Sequence, residues 1–199
     1  MKRRFCAPLL FLACQAGGGF LRAEPVAVRH PEGVVRGFLV LRALDGSVLA
    51  NGDMIQSSRG DRVTTRLVFH FRDGSLQDET AVYSERGRFQ LLSNRLVQSG
   101  PSFPHPMEVS IDATSGRVTV RHSDEGKEKF IDERMELPSD LANGMTLTLL
   151  KNIAPDVAST TLSMLVATPK PRLVKLVITR ASVEPFSVCL LYTSPSPRD

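Results

Sequence analysis

Between residues 34 and 136 apolar and polar side chains alternate along most of the chain. The clearest stretch is residues 62–72, RVTTRLVFHFR. Val63, Thr65, Leu67, Phe69 and Phe71 fall on one side of it, and Thr64, Arg66, Val68, His70 and Arg72 on the other. A period of two marks a half-buried strand, because successive side chains of extended backbone point to opposite faces. Asp73-Gly74 follows, a pair suited to a tight hairpin turn because both positions tolerate positive φ. Residues 75–85 alternate again, with Leu76, Asp78, Thr80 and Val82 opposite Gln77, Glu79, Ala81 and Tyr83. Arg86-Gly87 then turns into residues 88–98, with Phe89, Leu91 and Val97 read on one face. Three such strands joined by short turns make a meander.

Similar units flank it. Residues 34–43 alternate around Val35, Phe38 and Val40, and Asp45-Gly46 turns them into 47–56. Beyond a proline-rich loop at 99–106, strands are expected at 107–111, 117–122 and 127–136, separated by Thr114-Ser115-Gly116 and Asp124-Glu125-Gly126. Their charged outer faces suit an antiparallel sheet covered on one side. The period changes at 137–151, where Leu141, Met145, Thr148 and Leu149 stand at helical spacing. Ser139 or Asp140 is positioned to cap that helix, Lys151 suits the negative end of its dipole, and Gly144 weakens it. Strands at 160–167 and 172–181 follow, with Pro169 and Pro171 bracketing their turn. The pattern predicts a mainly β (α+β) fold: an antiparallel meander, curved or a half-barrel, with one helix packed on it.

Both ends differ from this body. Lys2-Arg3-Arg4, an apolar stretch at 6–16 and small residues up to Ala23 have the layout of a secretory signal peptide cleaved after Ala23. A lipid anchor on Cys14 is the alternative, since Phe11-Leu12-Ala13-Cys14 approximates a lipidation box. The last eleven residues, CLLYTSPSPRD, resemble a translated sequencing adaptor, which implies a natural chain continuing beyond Val188. The division expected is therefore 1–23 signal peptide, 24–188 one incomplete β-rich domain, and 189–199 a non-native tail.

Setting the ends aside changes the charge. The whole chain has 25 Lys+Arg and 21 Asp+Glu, a formal net charge of +4. Five of the basic residues and one acidic residue lie in the two ends, so the body carries 20 of each. An evenly mixed neutral surface argues against nucleic-acid binding. All three cysteines also lie in the ends, so the body needs a hydrophobic core rather than disulfides, and thiol catalysis and cysteine metal sites are excluded from it. No apolar run is long enough to span a bilayer as a helix.

Four stretches carry a resemblance: Arg66-Leu-Val-Phe-His-Phe-Arg-Asp-Gly-Ser-Leu-Gln-Asp-Glu-Thr80, Gly100-Pro-Ser-Phe-Pro-His-Pro106, Leu137-Pro-Ser-Asp-Leu-Ala-Asn-Gly144 and Pro169-Lys-Pro-Arg-Leu-Val-Lys175. Together they resemble a family of exported bacterial proteins of unknown function, across most of 33–188. That family implies no catalytic residues. A looser likeness of fold alone is to the half-barrels of periplasmic lipoprotein carriers.

Chemical candidates are few. His70 on its strand, with Asp78 and Glu79 on the next, could form a hairpin histidine–carboxylate pair able to act as base. His105, in Phe103-Pro104-His105-Pro106, sits in a stiff loop suited to a pocket rim. No nucleophile elbow, phosphate loop, zinc-protease motif or calcium loop occurs in the sequence. Arg59-Gly60-Asp61 is read as a turn. The residues favour an exported, non-enzymatic envelope protein holding a lipid or other hydrophobic molecule on a concave sheet, with Leu67, Phe69, Phe71, Phe89 and Leu91 on the apolar face. No metal or cofactor is implied. The alternatives are an envelope hydrolase built on His70, or an assembly module pairing with an envelope protein through a strand edge.

Overall fold

A computed structural model describes residues 24–124 and 126–180. The expected signal peptide, Cys14, the end of the last strand at 181 and the 189–199 tail lie outside the described residues. The elements are β1 (Val35–Arg42), β2 (Val48–Arg59), β3 (Arg62–Phe71), β4 (Leu76–Ser84), β5 (Gln90–Ser99), β6 (Met107–Asp112), β7 (Arg117–Asp124), β8 (Lys127–Arg134), α1 (Thr146–Asn152), β9 (Ser159–Val166) and β10 (Arg172–Thr179). β1 to β8 form one antiparallel sheet in chain order, and β9 and β10 form a separate hairpin. The sheet is not a closed barrel: β1 pairs with β2 and β8 with β7, never with each other.

Strand register aligns the inner face into rows that cross the whole sheet. One row reads Gly37, Met54, Leu67, Glu79, Leu96, Val109, Val120 and Ile131. The row beside it reads Leu39, Gly52, Phe69, Gln77, Gln98, Met107, His122 and Lys129. The core lies where α1 and the hairpin cover this face. Val63, Tyr83, Phe89, Leu91, Val109, Ile111, Val118 and Val120 pack there with Leu141, Met145, Leu149, Leu162 and Leu165. Each large aliphatic side chain so buried stabilises the fold by about 1.5–3 kcal/mol. The outer face carries ion pairs between strands, Arg66–Asp78, Arg95–Glu108 and Arg117–Asp132, at 2.7–2.9 Å. Exposed pairs of this kind contribute at most about 1 kcal/mol each.

Two polar clusters fasten the cover to the sheet. Beneath α1, the Tyr83 hydroxyl donates to Gln56 Oε1 at 3.3 Å and lies 3.1 Å from Thr148 Oγ1. Asn152, at the end of α1, accepts the backbone N–H groups of Arg29 and His30 at 2.9 and 2.7 Å, which straps residues 24–33 across the helix. Beneath the hairpin, the buried Asp140 carboxylate accepts from the backbone N–H of Ser163 at 3.0 Å and from its hydroxyl at 2.8 Å.

The structure departs from the sequence pattern in three places. In β1, Phe38 is 81% exposed and Val40 also faces outward, while Gly37, Leu39 and Leu41 turn inward. Phe38 to Leu41 are all apolar, so alternation alone cannot set the phase there; pairing of Leu39 with Gly52 and Gly37 with Met54 sets it. In β5, a bulge inserts Leu92, so that Leu91 pairs with Tyr83 but Ser93 with Val82. The extra residue reverses the faces beyond it, and Val97 lies opposite Asp78 on the outside while Asn94 and Leu96 turn in. Finally, α1 is only seven residues long, its N-cap is Met145, and no side chain caps it. Neither Ser139 nor Asp140 serves as the cap, because the Asp140 carboxylate is engaged by Ser163 and the helix starts later. Gly144 precedes the helix at φ +67°, where a Cβ would come within 2.5 Å of Asn94 Nδ2 and 2.6 Å of Ala81 Cβ. The turn thus needs glycine for both its backbone angle and its closeness to the sheet.

Candidate functional site

The three acid–base candidates do not come together. His70 is exposed on the outer face opposite Leu76. Asp78 shares that face, but both of its oxygens accept from Arg66, Oδ1 from Nε at 3.0 Å and Oδ2 from Nη2 at 2.7 Å. Those hydrogen bonds hold its carboxyl below the usual aspartate range. Glu79 points to the other face, in the row between Leu67 and Leu96. A strand places neighbouring side chains on opposite faces, so His70 and Glu79 cannot meet.

The five apolar candidates divide. Phe89 and Leu91 are buried in the core beneath the cover. Leu67, Phe69 and Phe71 are half-buried on the part of the inner face nearer β1. The Phe69 ring lies against Gly52, where a Cβ would approach it to 2.6 Å. Phe71 meets Phe103 edge to face, ring centres 5.3 Å apart.

Phe103 belongs to the proline-rich loop, which is pinned to the β3–β4 turn. Gly100, at φ +101°, lets the loop pass so close to Ser75 that a Cβ would lie 2.6 Å from its Cα. The backbone N–H of Ser102 donates to Ser75 Oγ at 2.7 Å, and its hydroxyl donates to Asp73 Oδ2 at 2.6 Å. Held in this way, the loop borders an open cavity of about 330 Å³ at the inner face of the sheet. Its walls are Ser102, Phe103, Pro104 and His105 of the loop, Gln98, Met107 and His122 of the sheet, and Thr168 and Pro169 of the β9–β10 turn. His122 forms part of the floor at 9% exposure. The sequence does carry its signal: His122 continues the inward alternation of Val118 and Val120. A lone histidine on an apolar face does not by itself distinguish a core position from a cavity wall.

A smaller cavity of about 120 Å³ lies between α1 and the sheet, lined by Met54, Thr65, Leu67, Glu79, Gly144, Thr146, Leu147 and Thr148. Here Glu79 Oε1 accepts from Asn94 Nδ2 at 3.0 Å. Burial pushes the Glu79 carboxyl above the usual glutamate range, and the Asn94 hydrogen bond opposes that only in part.

One further group has the residue types of a nucleophile with its base. Lys175 Nζ donates to Ser163 Oγ at 2.7 Å, and that hydroxyl donates in turn to Asp140. Ser163 is 1% exposed, and its hydroxyl staples the exposed Lys175 to the buried Asp140. Among the described residues no three His, Cys, Asp or Glu side chains converge as metal ligands, and no helix is long and apolar enough to cross a membrane.

Comparisons with protein-family models, curated proteins and solved structures return no match.

Proposed function

We propose that this chain is an exported, non-catalytic binding protein that holds a hydrophobic small molecule, or the apolar part of a lipid, in the cavity behind the proline-rich loop. The observation that carries the proposal is the cavity itself: about 330 Å³, walled by Phe103, Pro104, Met107 and Pro169 with a few convergent polar groups. Ligand sites are concave and mostly apolar, with a small number of placed polar side chains, and start at about this volume. The half-buried Leu67, Phe69 and Phe71 extend apolar surface from the Phe103 wall toward β1. Export is supported by the layout of residues 1–23. The test is organic extraction and mass analysis of the purified protein, followed by titration with a fluorescent apolar probe. Saturable binding that weakens in Met107→Glu, with the melting temperature retained, is the expected result. Absence of any co-purifying apolar molecule together with absence of saturable probe binding would overturn it.

A second reading, an assembly module that pairs through a strand edge, is favoured by β1. Its outer edge, unpaired among the described residues, is flanked by Val34 and Phe38, both more than 80% exposed.

A further inference from the structure

We propose that the cavity at the far end of β4 and β5 from the proline-rich loop binds a phosphomonoester group, held by Arg62, Arg86 and Arg88. This open cavity of about 600 Å³ is lined by those three arginines with Ser84 and Gln90, and Asp61 is the one acid lining it among the described residues. None of its residues line the apolar cavity, so one site can exist without the other. Strand register accounts for the concentration of donors. Arg59 on β2 pairs with Arg62 on β3, Arg62 with Ser84 on β4, and Ser84 with Gln90 on β5. This cross-strand row contains no carboxylate, and it sets two guanidinium groups directly opposite each other at the β2–β3 turn. Like charges so placed are destabilising, and an anion bound beside them offsets that.

The acids nearby are already engaged. Asp61 Oδ2 accepts from Arg86 Nε at 2.8 Å, and Glu24 Oε2 accepts from Arg88 Nη1 at 3.0 Å. These contacts fix both guanidinium groups while leaving the other N–H groups of each fork for a ligand. Arg59 and Arg62 make no ion pair among the described residues. Ser84 Oγ accepts the Arg86 backbone N–H at 3.3 Å, so its own O–H is left to donate. Arginines grouped along one cavity focus a positive potential and draw in an anion. A terminal phosphoryl group presents three acceptor oxygens and roughly two negative charges near neutral pH, where a carboxylate presents two oxygens and one charge. Three forked donors and a hydroxyl match the phosphoryl group better. At about 30 Å³ for each water-sized atom, the cavity also has room for the organic group that carries the phosphate.

The experiment titrates the purified protein with glycerol 3-phosphate, glycolate and glycerol by calorimetry, and in a second arm with phosphatidylcholine vesicles with and without phosphatidic acid. Glycerol 3-phosphate is expected to bind saturably, about tenfold tighter than glycolate and less tightly as salt is raised, while glycerol does not bind. Binding to phosphatidic acid vesicles but not to the soluble ester would support the site with a lipid head group as its source. Arg62→Gln should weaken binding about tenfold, and Arg62→Lys, which keeps the charge without the fork, should lose less. Arg72→Gln removes the same charge just past the other end of β3 and should change binding less than about twofold. Equal losses in Arg62→Gln and Arg72→Gln would show diffuse attraction alone and overturn the site. Equal affinity for the ester and glycolate, with no preference for phosphatidic acid, would overturn it too, as would the absence of saturable binding in both arms.

Discussion

Single side chains here depend on which face of the sheet they occupy. Asp78 and Glu79 are adjacent in sequence, yet one is held charged by Arg66 on the outside and the other is pushed toward its neutral form inside. For Glu79 a raised folded-state pKa means that the group's contribution to stability is complete below the ordinary glutamate value. That contribution is lost as pH rises through the folded value, because the buried carboxylate must then be charged. Glu79→Gln keeps an acceptor for Asn94 and cannot ionise. It is expected to melt at a higher temperature than the parent near neutral pH and to match it below about pH 4, as thermal unfolding across that range would show. A variant less stable than the parent at neutral pH would contradict this. Alternation within 75–85 puts Asp78 and Glu79 on opposite faces, but which of them shares a face with His70 is set by strand register. The ion pair with Arg66 and the cavity beside Glu79 depend on partners that alternation does not specify.

At the scale of elements, eight strands in chain order are legible from alternation and turn residues, and the final hairpin is too. What is not legible follows from registers and from long-range hydrogen bonds. One inserted residue at Leu92 reverses the faces of the rest of β5. The spacing of Leu141, Met145 and Leu149 is helical, although the first of them precedes the helix in a turn held by Asp140 and Gly144. That turn reaches β9 through the parallel bridge of Leu141 with Ser163. Asp140→Ala would remove the acceptor of a buried backbone N–H and a buried hydroxyl. Its expected cost is about 2–4 kcal/mol, since hydrogen bonds to charged groups each contribute about 1.5–3 kcal/mol and the groups left behind are unsatisfied. Chemical denaturation measures the total, and amide exchange at Ser163 should accelerate more than exchange in β2. A loss below about 0.5 kcal/mol would show that the staple contributes little.

At the scale of the molecule, the cover formed by the described residues is partial, and this shapes both readings of function. α1 and the hairpin close the core over one part of the sheet, leaving Leu67, Phe69 and Phe71 half-buried and the cavity open at one end. β1 is left as an edge with Phe38 on its outer face. Phe38→Lys should change the unfolding free energy by less than about 0.5 kcal/mol, because the ring packs little, while lowering turbidity at high protein concentration. A destabilisation above about 1 kcal/mol would show that the ring is packed after all. The order of the strands also bears on how the chain reaches this state. Every pairing in the large sheet joins a strand to the next one along the chain, across a short turn or loop. Paired positions in this sheet lie no further apart than Leu76 and Ser99, so each added strand closes a modest loop and loses a limited amount of chain entropy. Among the described residues, the strap of residues 24–33 and the docking of the cover bring the more distant segments together. Folding speed falls as contacting residues become more distant in sequence, and this topology places an eight-stranded sheet toward the faster end for β proteins.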